Sequence, residues 1–427
     1  MEIKALHELF LQCKSIATDT RKIEVGSMFF ALKGENFDAN TFTAEALQKG
    51  ARYVVIDNES FYINEATILV QDSLAALQEL AKYHRSYLNI PIVSLTGSNG
   101  KTTTKELINA VLSKKFQTKA TVGNLNNHIG VPLTLLSFTT DTEIGIVEMG
   151  ANHQKEIEFL CAIAQPDFGY ITNFGKAHLE GFGGVEGVIK GKSEMYTYLK
   201  NANKTAFVNL DDSIQNEKTA DITRYTFGLN ASLANVSIDK VEANPFVTIS
   251  CNGVEIKSNL IGLYNSNNIN AAVTIGVYFN VSIEDCKAAI EEYVPTNNRS
   301  QLITKNGCQV ILDAYNANPS SMTAAIDNFL QLDLANKYLI LGDMFELGPE
   351  SAEEHKKLVD KLLGQSNVTC CFVGKAFYAN KLDSENILFF ETFDNFSIFL
   401  KENKPNLASY LIKGSRGMAL ERTLDLI

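Results

Sequence analysis

The segment TGSNGKTTT at residues 96–104 combines two glycines, a lysine and several hydroxyl side chains. A glycine-rich turn directs several backbone N–H groups at one anion, and the N-terminus of a helix that follows adds its dipole. The apolar run IPIVSL before this segment predicts a strand, and the run TTTKELINAVL predicts a helix. The pattern GxxGK[ST] at residues 97–102 therefore predicts a nucleotide phosphate site, although its glycines are closer together than in the usual P-loop.

Two side chains of this motif have distinct expected roles. Lys101 is expected to reach the β- and γ-phosphates of the nucleotide, and the hydroxyl of Thr102 is expected to bind Mg²⁺. The alternative is a structural glycine turn without a ligand. The strand before the loop and the helix after it favour the nucleotide site.

Three further polar residues lie where chemistry is expected. Glu148 ends the apolar run IGIV, where a carboxylate can bind Mg²⁺ directly or through water, although a solvated strand end has the same pattern. His178 follows a predicted strand, at the edge where doubly wound sheets bind ligands, and both metal binding and a structural role are open. Lys192 lies on a helical pattern, and its spacing alone indicates a surface lysine.

Two polar segments have competing interpretations. Residues 124–132, NLNNHIGVP, place three asparagines beside a glycine, which suits a polar ligand or a turn with a helix cap. Residues 380–383, NKLD, match the guanine-binding motif of GTPases. They lie far beyond the glycine loop, and the GKAFYA before them does not resemble a buried strand, so we reject a GTPase.

The composition narrows the class of protein. Of 427 residues, 20% are charged and 45% are hydrophobic, as in ordinary soluble globular proteins. The net charge of -11 and the lack of a basic block argue against nucleic-acid binding. Seven scattered cysteines without CxxC indicate reduced thiols, and no run approaches the ~18 apolar residues of a membrane span. These features, with an N-terminus that lacks a signal-peptide core, predict a cytoplasmic protein without membrane insertion.

Alternating strand and helix patterns predict three α/β regions. A boundary is expected at Pro91, because the residue before proline avoids the helical conformation. Beyond it, repeated strand, loop and helix patterns predict a parallel, doubly wound sheet that binds ligands at the carboxyl ends of its strands. Residues 205–260 are strand-rich and include a hairpin signal at Asn252-Gly253, and a third alternating region begins near Pro295.

Seven motifs are spread over nearly the whole chain: TGSNGKTTTKE, NLNN-x-x-GVP, EMGANH, NF-x-x-AHLEGFGG, K-x-K-x-E, LDAYNANP-x-SM and KGSRGM. In this combination the chain resembles the Mur ligase family of ATP-dependent, amide-forming enzymes. The resemblance implies an α/β fold of three domains. These are a UDP-substrate-binding domain at 1–88, a central P-loop ATPase domain with a parallel sheet at 89–297, and a Rossmann-like C-terminal domain at 298–427.

The flanking domains of this family distinguish its substrates. The segments TDTRKIEVGSMFFALKGENFDANTF, DAYNANPSSM and KGSR imply a member that joins D-alanyl-D-alanine to a UDP-N-acetylmuramoyl-tripeptide. ATP would phosphorylate the terminal carboxylate, and the dipeptide amine would attack the resulting acyl phosphate. The alternatives are a sibling ligase that adds the third amino acid, a folylpolyglutamate-type ligase, and a non-catalytic nucleotide-binding regulator. We expect a monomer whose partners are these small molecules.

The resemblance also implies roles for individual residues. The catalytic residues would be Lys101, Glu148, His178 and Lys192. ATP would contact Gly97, Ser98, Asn99, Gly100, Lys101, Thr102, Thr103, Asn265, Asn268, Arg299 and Asp313. The UDP-linked substrate and the dipeptide would contact Asp19, Arg21, Asp38, Asn40, Asn124, Asn127, Tyr315, Asn316, Asn318, Lys413 and Arg416.

Magnesium ligands follow from the same resemblance. Thr102 and Glu148 would bind one Mg²⁺, and His178 would bind a second. Lys192 matches a lysine that CO₂ converts to a carbamate in most of the family, which reverses its interpretation as a surface residue. A carbamate offers two oxygen ligands to a hard cation. One departure is Tyr264, which stands where the family usually has a histidine.

Overall fold

Three large sheets succeed one another along the chain, and we call the regions that contain them the N-terminal, central and C-terminal units. A computed structural model describes residues 2–296 and 298–427. The predicted domain boundary at residue 297 therefore lies outside the described residues. No helix of the described part of the chain has the length and apolarity to cross a bilayer.

The N-terminal unit is a four-stranded parallel sheet, in the order β1-β2-β5-β6, with a small antiparallel β3-β4 pair. Its elements are α1 (Ile3–Phe10), β1 (Ile16–Ala17), β2 (Met28–Phe30), β3 (Lys33–Gly34), β4 (Phe37–Asp38), α2 (Thr43–Gln48), β5 (Tyr53–Ile56), β6 (Thr67–Leu69) and α3 (Ser73–Leu88). Every residue of β2 is buried, as a continuous apolar run predicts for a parallel strand.

The central unit contains a nine-stranded sheet in the order β15-β14-β13-β12-β11-β10-β7-β9-β8. Its first elements are β7 (Ile92–Thr96), α4 (Lys101–Leu112), β8 (Thr118–Ala120), α5 (Gly130–Leu136), β9 (Ile144–Glu148), α6 (Glu156–Ala164), β10 (Phe168–Ile171), α7 (Leu179–Phe182) and α8 (Val185–Asn201). They are followed by β11 (Thr205–Asn209), α9 (Ser213–Lys218), β12 (Arg224–Leu229), β13 (Val236–Ala243), β14 (Phe246–Cys251), β15 (Val254–Ile261), α10 (Ser266–Tyr278) and α11 (Ile283–Glu292).

Pairing within this sheet explains where its ligand edge lies. Strands β8 to β13 pair in parallel, whereas β13, β14 and β15 form an antiparallel meander that includes the hairpin predicted at Asn252-Gly253. Strand β7 lies between β9 and β10, and all five of its residues are buried. The carboxyl ends of these three strands therefore meet at one edge, and the glycine loop begins there.

The C-terminal unit is a six-stranded sheet in the order β16-β17-β21-β18-β19-β20, parallel except for the β16-β17 pair. Its elements are β16 (Gln301–Lys305), β17 (Cys308–Asp313), α12 (Pro319–Gln331), β18 (Lys337–Gly342), α13 (Ser351–Leu362), β19 (Val368–Val373), α14 (Lys375–Tyr378), β20 (Ile387–Phe390), α15 (Phe393–Glu402) and β21 (Ser409–Lys413). Residues 380–383 follow α14 as a loop, remote from the glycine loop in sequence.

Apolar and ionic contacts join the units. One continuous cluster of buried side chains includes Leu77 of α3, Leu160 of α6 and Ile326 of α12. Buried Arg85 of α3 donates to Asp167, just before β10, at 2.7 Å and to the carbonyl of Ala164 at 3.2 Å. Because a buried guanidinium needs such partners, these hydrogen bonds fix the position of α3 against the central unit.

A buried histidine pair lies at the same junction. His7 Nε2 and His84 Nδ1 are 2.9 Å apart, and His84 Nε2 is 3.0 Å from the carbonyl oxygen of Phe138. Since that carbonyl only accepts, His84 Nε2 donates to it and His84 Nδ1 accepts from His7. Burial, and secondly the neighbouring His84, lowers the pKa of His7 to about 4, and burial lowers the pKa of His84.

We predict that acidification from pH 7 to 5 lowers the free energy of unfolding. The folded-state pKa of His7 lies below its unfolded value near 6.5, so the unfolded chain takes up a proton that the folded chain does not. One such proton contributes a slope of up to about 1.4 kcal/mol per pH unit. Urea unfolding at pH 5, 6 and 7 measures it. His7→Phe should weaken the pH dependence, whereas His128→Ala, at an exposed side chain, should keep it. An unchanged slope in His7→Phe would contradict the assignment.

Candidate active site

The glycine loop of residues 97–100 connects β7 to α4 and fits tightly against neighbouring segments. Gly97 has φ +144°, and a Cβ there would lie 1.9 Å from Thr172 Oγ1. Gly100 has φ +78°, and its Cβ would lie 2.5 Å from Asn268 Oδ1. Side chains are thus excluded at both positions.

Hydrogen bonds from the segment after β10 hold this loop. The Ser98 amide donates to the carbonyl of Asn173 at 3.0 Å, and the Asn99 amide donates to Asn173 Oδ1 at 3.1 Å. The hydroxyl of Thr172 donates to the carbonyl of Asn99 at 2.6 Å. The loop is therefore shaped by a neighbouring strand end, through Thr172 and Asn173, which were not among the predicted site residues.

Lys101 folds back over the loop. Its Nζ donates to the carbonyl of Gly97 at 2.7 Å and to that of Ser98 at 3.4 Å. Burial lowers its pKa, and the Glu148 carboxylate opposes that shift. Bound phosphates would offer Nζ stronger, charged acceptors than these carbonyls.

A cavity of about 1130 Å³ opens at this edge and is lined by all three units. The N-terminal unit contributes Leu74 and Gln78 of α3. The cavity brings together most of the predicted site residues: Ser98, Asn99, Gly100, Lys101, Thr102, Thr103, Asn124, Asn127, Glu148, His178, Asn265, Asn268, Arg299, Asp313, Tyr315, Asn316, Asn318 and Lys413. A nucleotide and a second substrate fit a space of this size.

A second cavity of about 330 Å³ adjoins the first and shares residues with it. Its lining includes His178, Tyr315, Phe345, Glu346 and Arg416. Six predicted site residues line neither cavity, namely Asp19, Arg21, Asp38, Asn40, Gly97 and Lys192. The structure therefore places the first four away from the nucleotide loop, in the N-terminal unit.

Glu148 ends β9 with only 1% of its surface exposed. Its Oε1 accepts from Asn126 Nδ2 at 2.7 Å, whereas Oε2 has no hydrogen-bond partner. Its amide donates to the Thr121 hydroxyl at 2.9 Å. A buried carboxylate oxygen without a partner is costly and requires a cation or donor. Asn126, rather than Asn124 or Asn127, orients this carboxylate, and the asparagine-rich motif was the only signal for it.

Asn127 caps a helix, as one interpretation of its motif predicted. Its Oδ1 accepts from the amides of Ile129 at 3.1 Å and Gly130 at 2.8 Å, at the start of α5. Asn124 is exposed on the same loop and lines both cavities. All three asparagines therefore line the cavity, but only Asn127 caps a helix.

Lys192 lies on α8 and is fully buried, so the surface position indicated by its spacing is wrong. Its Nζ has no hydrogen-bond partner and lies 5.1 Å from the ring centroid of Phe182. Burial, followed by the positive charge of Lys101, lowers the pKa of Lys192 well below its ordinary value. Packing of α8 against α6 and α7, which helical spacing does not reveal, produces this burial.

His178 precedes α7 in a left-handed backbone conformation with φ +53°. Its Nδ1 contacts the carboxylate of Glu346, which comes from the C-terminal unit. Burial and the charge of Lys101 lower the pKa of His178, and Glu346 acts in the opposite direction. Glu346 was not among the predicted site residues.

The side chains around the glycine loop include possible ligands for Mg²⁺. Within the described residues no group of three His, Cys, Asp or Glu side chains could hold a metal ion by itself. Mg²⁺ commonly uses one or two carboxylates together with phosphate oxygens and waters. The unpartnered Glu148 Oε2, beside Thr102 and the loop, fits this mode of binding.

Asn265 and Asn268, two of the predicted ATP contacts, form a network of their own. Asn268 Nδ2 donates to Asn265 Oδ1 at 2.8 Å, and Asn268 Oδ1 accepts from Thr104 at 3.0 Å. Asn265 Nδ2 donates to the carbonyl of Ile261 at 2.7 Å. Both amides are buried and line the cavity, and they connect α10 to the helix that follows the glycine loop.

The C-terminal unit presents a charged wall to the cavity. Buried Lys413 donates to Asp313 Oδ2 at 2.6 Å and to the carbonyl of Asn316 at 3.1 Å. The Arg299 guanidinium lies 3.6 Å from the ring centroid of Tyr315. The charges of Asp313 and Lys413 thus neutralise each other, whereas the Arg299 guanidinium stacks on the ring of Tyr315.

Asn318 joins this wall to the glycine loop. Its Nδ2 donates to Asn99 Oδ1 at 2.7 Å, while its Oδ1 caps α12 by accepting from the Ser321 amide at 2.9 Å. Ser320 accepts from the Lys176 amide at 2.8 Å. The start of α12 therefore sits directly on the nucleotide loop and the segment after β10.

In the N-terminal unit, the predicted substrate residues form local polar contacts. Exposed Arg21 pairs with Asp19 at 2.7 Å. Buried Asn40 donates to Asp38 at 2.6 Å and to Asp57 at 2.8 Å. These pairs shape two turns of the unit's surface, beyond the two cavities.

Each of the three units matches the model of a known protein family. The model of the Mur ligase middle domain matches residues 95–276, that of the Mur ligase, glutamate ligase domain matches 298–414, and that of the Mur ligase family, catalytic domain matches 12–85. The UDP-N-acetylmuramoyl-tripeptide–D-alanyl-D-alanine ligase of Bacillus subtilis is 36% identical over 426 residues, 96% of this chain and 93% of the relative.

Solved structures are similar over the full length. A crystal structure of MurF from Acinetobacter baumannii has a TM-score of 0.87 and 31% identity, covering 99% of this chain and 98% of the other. MurF ligase from Thermotoga maritima in complex with ADP has a TM-score of 0.84 and 26% identity, covering 98% and 97%. The three-unit arrangement is thus shared with proteins of known fold.

We predict that Gly97→Ala weakens ADP binding by at least about 10-fold, because the substitution would distort the loop that binds the phosphates. A tenfold change in affinity corresponds to about 1.4 kcal/mol of binding free energy. The new Cβ would overlap Thr172, and φ +144° is avoided by L-residues. Calorimetric titration with ADP measures the effect. Gly364→Ala is the matched control, because no heavy atom lies within 4 Å of its Cβ position. Binding like that of the wild type in Gly97→Ala would contradict the loop geometry.

Proposed function

The chain belongs to the Mur ligase family, and from this membership and the cavity we infer that it joins D-alanyl-D-alanine to a UDP-N-acetylmuramoyl-tripeptide at the expense of ATP. The single observation that carries this conclusion is the full-length similarity to dipeptide ligases, 36% identical over 96% of the chain. It includes the N- and C-terminal units, which distinguish substrates within the family. The product serves peptidoglycan synthesis.

The other candidate functions have weaker support. A ligase that adds a single amino acid would share the central unit, but the flanking units here match dipeptide ligases. A non-catalytic regulator would need a phosphate loop without further chemistry. The buried, unpartnered amine of Lys192, assigned here to the second metal site, is not needed for nucleotide binding alone.

The reaction concentrates negative charge in one cavity. In our proposal the terminal carboxylate of the tripeptide attacks the γ-phosphorus of ATP, giving an acyl phosphate and ADP. The dipeptide amine then attacks the acyl carbon, loses a proton, and expels phosphate as the amide forms. Lys101 and the loop amides would bind and orient the phosphates and stabilise charge on the transferring group.

Residues around the loop would hold Mg²⁺ as well. Glu148 and Thr102 would provide oxygen ligands, with Asn126 fixing the orientation of the Glu148 carboxylate. His178, near the boundary of the two cavities, would bind a second ion. When bound, these ions offset the charge of the phosphate and carboxylate oxygens.

We propose that Lys192 is the residue that CO₂ modifies. Its buried amine lacks a partner, and its lowered pKa favours the neutral form that reacts with CO₂. Attack of the amine nitrogen on CO₂ forms an N–C bond and releases one proton, leaving an anionic carbamate. The carbamate would supply oxygen ligands on the His178 side of the site.

Substrate binding would be divided among the units. We propose that Asp19, Arg21, Asp38 and Asn40 contact the UDP moiety in the N-terminal unit. Asn124, Asn127, Tyr315, Asn316, Asn318, Lys413 and Arg416 would contact the tripeptide and the dipeptide, and Asn265, Asn268, Arg299 and Asp313 would contact ATP. Since ATP and UDP-linked precursors are cytoplasmic metabolites, we propose that the reaction takes place in the cytoplasm. We also expect the protein to be a monomer.

We predict a product heavier than the UDP-muramoyl-tripeptide by one D-alanyl-D-alanine residue pair when both substrates and ATP are supplied. Mass spectrometry of the product tests this, with single amino acids offered in parallel. Lys101→Ala should reduce turnover by about 100-fold or more, because one charge-assisted donor to the phosphates is lost. Lys114→Ala is a control beyond the far end of the same helix. A product that contains a single amino acid would favour a sibling ligase.

We predict that Lys192→Ala reduces turnover by about 100-fold or more while ADP binding persists, since a metal ligand is lost but the loop is not. Lys192→Glu should recover part of the activity, because a carboxylate can replace the carbamate. Lys190→Ala, an exposed lysine on the same helix, should remain close to wild type. The ¹³C NMR signal of a carbamate should appear with ¹³C-bicarbonate in the wild type and in Lys190→Ala, and it should be absent from Lys192→Ala. Near-normal turnover in Lys192→Ala would overturn the carbamate.

A further inference from the structure

His178 of the central unit is held by a side chain from the C-terminal unit. Glu346 follows β18, in the loop that leads to α13, and its carboxylate contacts His178 Nδ1. The His178 side chain is 21% exposed, and it lines both cavities. The imidazole thus sits between the cavities with one of its two nitrogens engaged.

The loop that carries Glu346 fits closely against the segment after His178. The carbonyl of Glu346 accepts from the Glu180 amide at 3.4 Å. Glu346 has φ +60°, a conformation that residues with a Cβ rarely adopt. Gly348 has φ +54°, and a Cβ there would lie 3.1 Å from Glu180 Cβ. The backbone of this loop is therefore shaped so that the Glu346 carboxylate reaches the imidazole.

The contact determines which nitrogen of His178 carries the proton. An ionised carboxylate only accepts hydrogen bonds, so Nδ1 is the protonated nitrogen of a neutral imidazole. The lone pair is then on Nε2, which has no hydrogen-bond partner among the described residues. Metal-binding histidines commonly have their second nitrogen fixed by a carboxylate in this way.

We propose that Glu346 is a positioning residue that holds His178 as the Nδ1–H tautomer, with Nε2 available as a metal ligand. The metal part rests on the proposed function, in which His178 binds Mg²⁺. Because Glu346 belongs to the C-terminal unit, the ligand is oriented only when that unit lies against the central unit. Assembly of the metal site is thereby coupled to the arrangement of the units.

The chain offers a matched control at the same junction. Glu354 of α13 accepts from Lys176 Nζ at 2.8 Å, so it also joins the C-terminal unit to the segment after β10. Glu354 has no hydrogen bond to His178. Removing either carboxylate therefore breaks one ionic contact between the units, and only Glu346→Ala releases the imidazole.

The first experiment uses the metal-free protein at pH 8. Selective ¹⁵N labelling of histidine reports the protonated nitrogen of each imidazole, and His178→Gln identifies the signal of His178. We expect the Nδ1–H tautomer in the wild type and in Glu354→Ala, and a tautomer mixture in Glu346→Ala. Glu346→Gln should retain part of the preference, because its amide oxygen still accepts. The same tautomer in the wild type and Glu346→Ala would overturn the proposal.

The second experiment measures Mn²⁺ affinity by electron paramagnetic resonance with ADP present. Loss of a residue that orients a metal ligand commonly weakens metal binding by about 10–100-fold. We expect a loss of that size in Glu346→Ala and little change in Glu354→Ala. Equal losses of Mn²⁺ affinity in both variants would mean that the affinity depends on ionic contacts between the units in general. That result would overturn the positioning role of Glu346. A changed tautomer with unchanged Mn²⁺ affinity would support Glu346 as a positioning residue and overturn His178 as a metal ligand.

Discussion

The close fit of the glycine loop between two strand ends is the constraint on which the site depends. At Gly97 the backbone lies so near Thr172 that even a methyl group is excluded. This fit fixes the path of the loop, which lines the cavity at residues 98–100 and leads directly into α4. Thr172 and Asn173 hold the loop from β10, Glu148 comes from β9, and Asn318 reaches it from the C-terminal unit. The other side chains of the site are therefore positioned relative to this loop.

Electrostatics explains why this arrangement suits anions. Lys101 and Arg299 line the cavity and Lys192 is buried near enough for the charge of Lys101 to lower its pKa, whereas Asp313 is paired with Lys413 and Glu148 is buried. Burial lowers the pKa of both lysines and penalises their charged forms. A triphosphate, a carboxylate and metal ions would satisfy these groups together. The site is therefore complete only with its ligands.

The three units share a single site because their junctions are polar as well as apolar. Arg85 seats α3 on the central sheet, and Lys176 and Asn318 connect the central and C-terminal units. Between-unit contacts of this kind can open and re-form, and Glu346 shows that one of them reaches a proposed metal ligand. In the proposed reaction, closure of a cavity divided among three units would also keep water away from the acyl phosphate.

The sequence by itself determined the fold class, the three α/β regions, the glycine loop, and the polar ends of β9 and β10. Those features depend on local periodicity and on glycine chemistry, which neighbouring residues specify. The tertiary structure alone decided that Lys192 is buried, that Asn126 orients Glu148, and that Glu346 holds His178. These facts depend on contacts between residues 22 and 168 positions apart, or on the packing of whole helices. Helical or strand spacing carries no record of such contacts, because the same pattern is compatible with several partners.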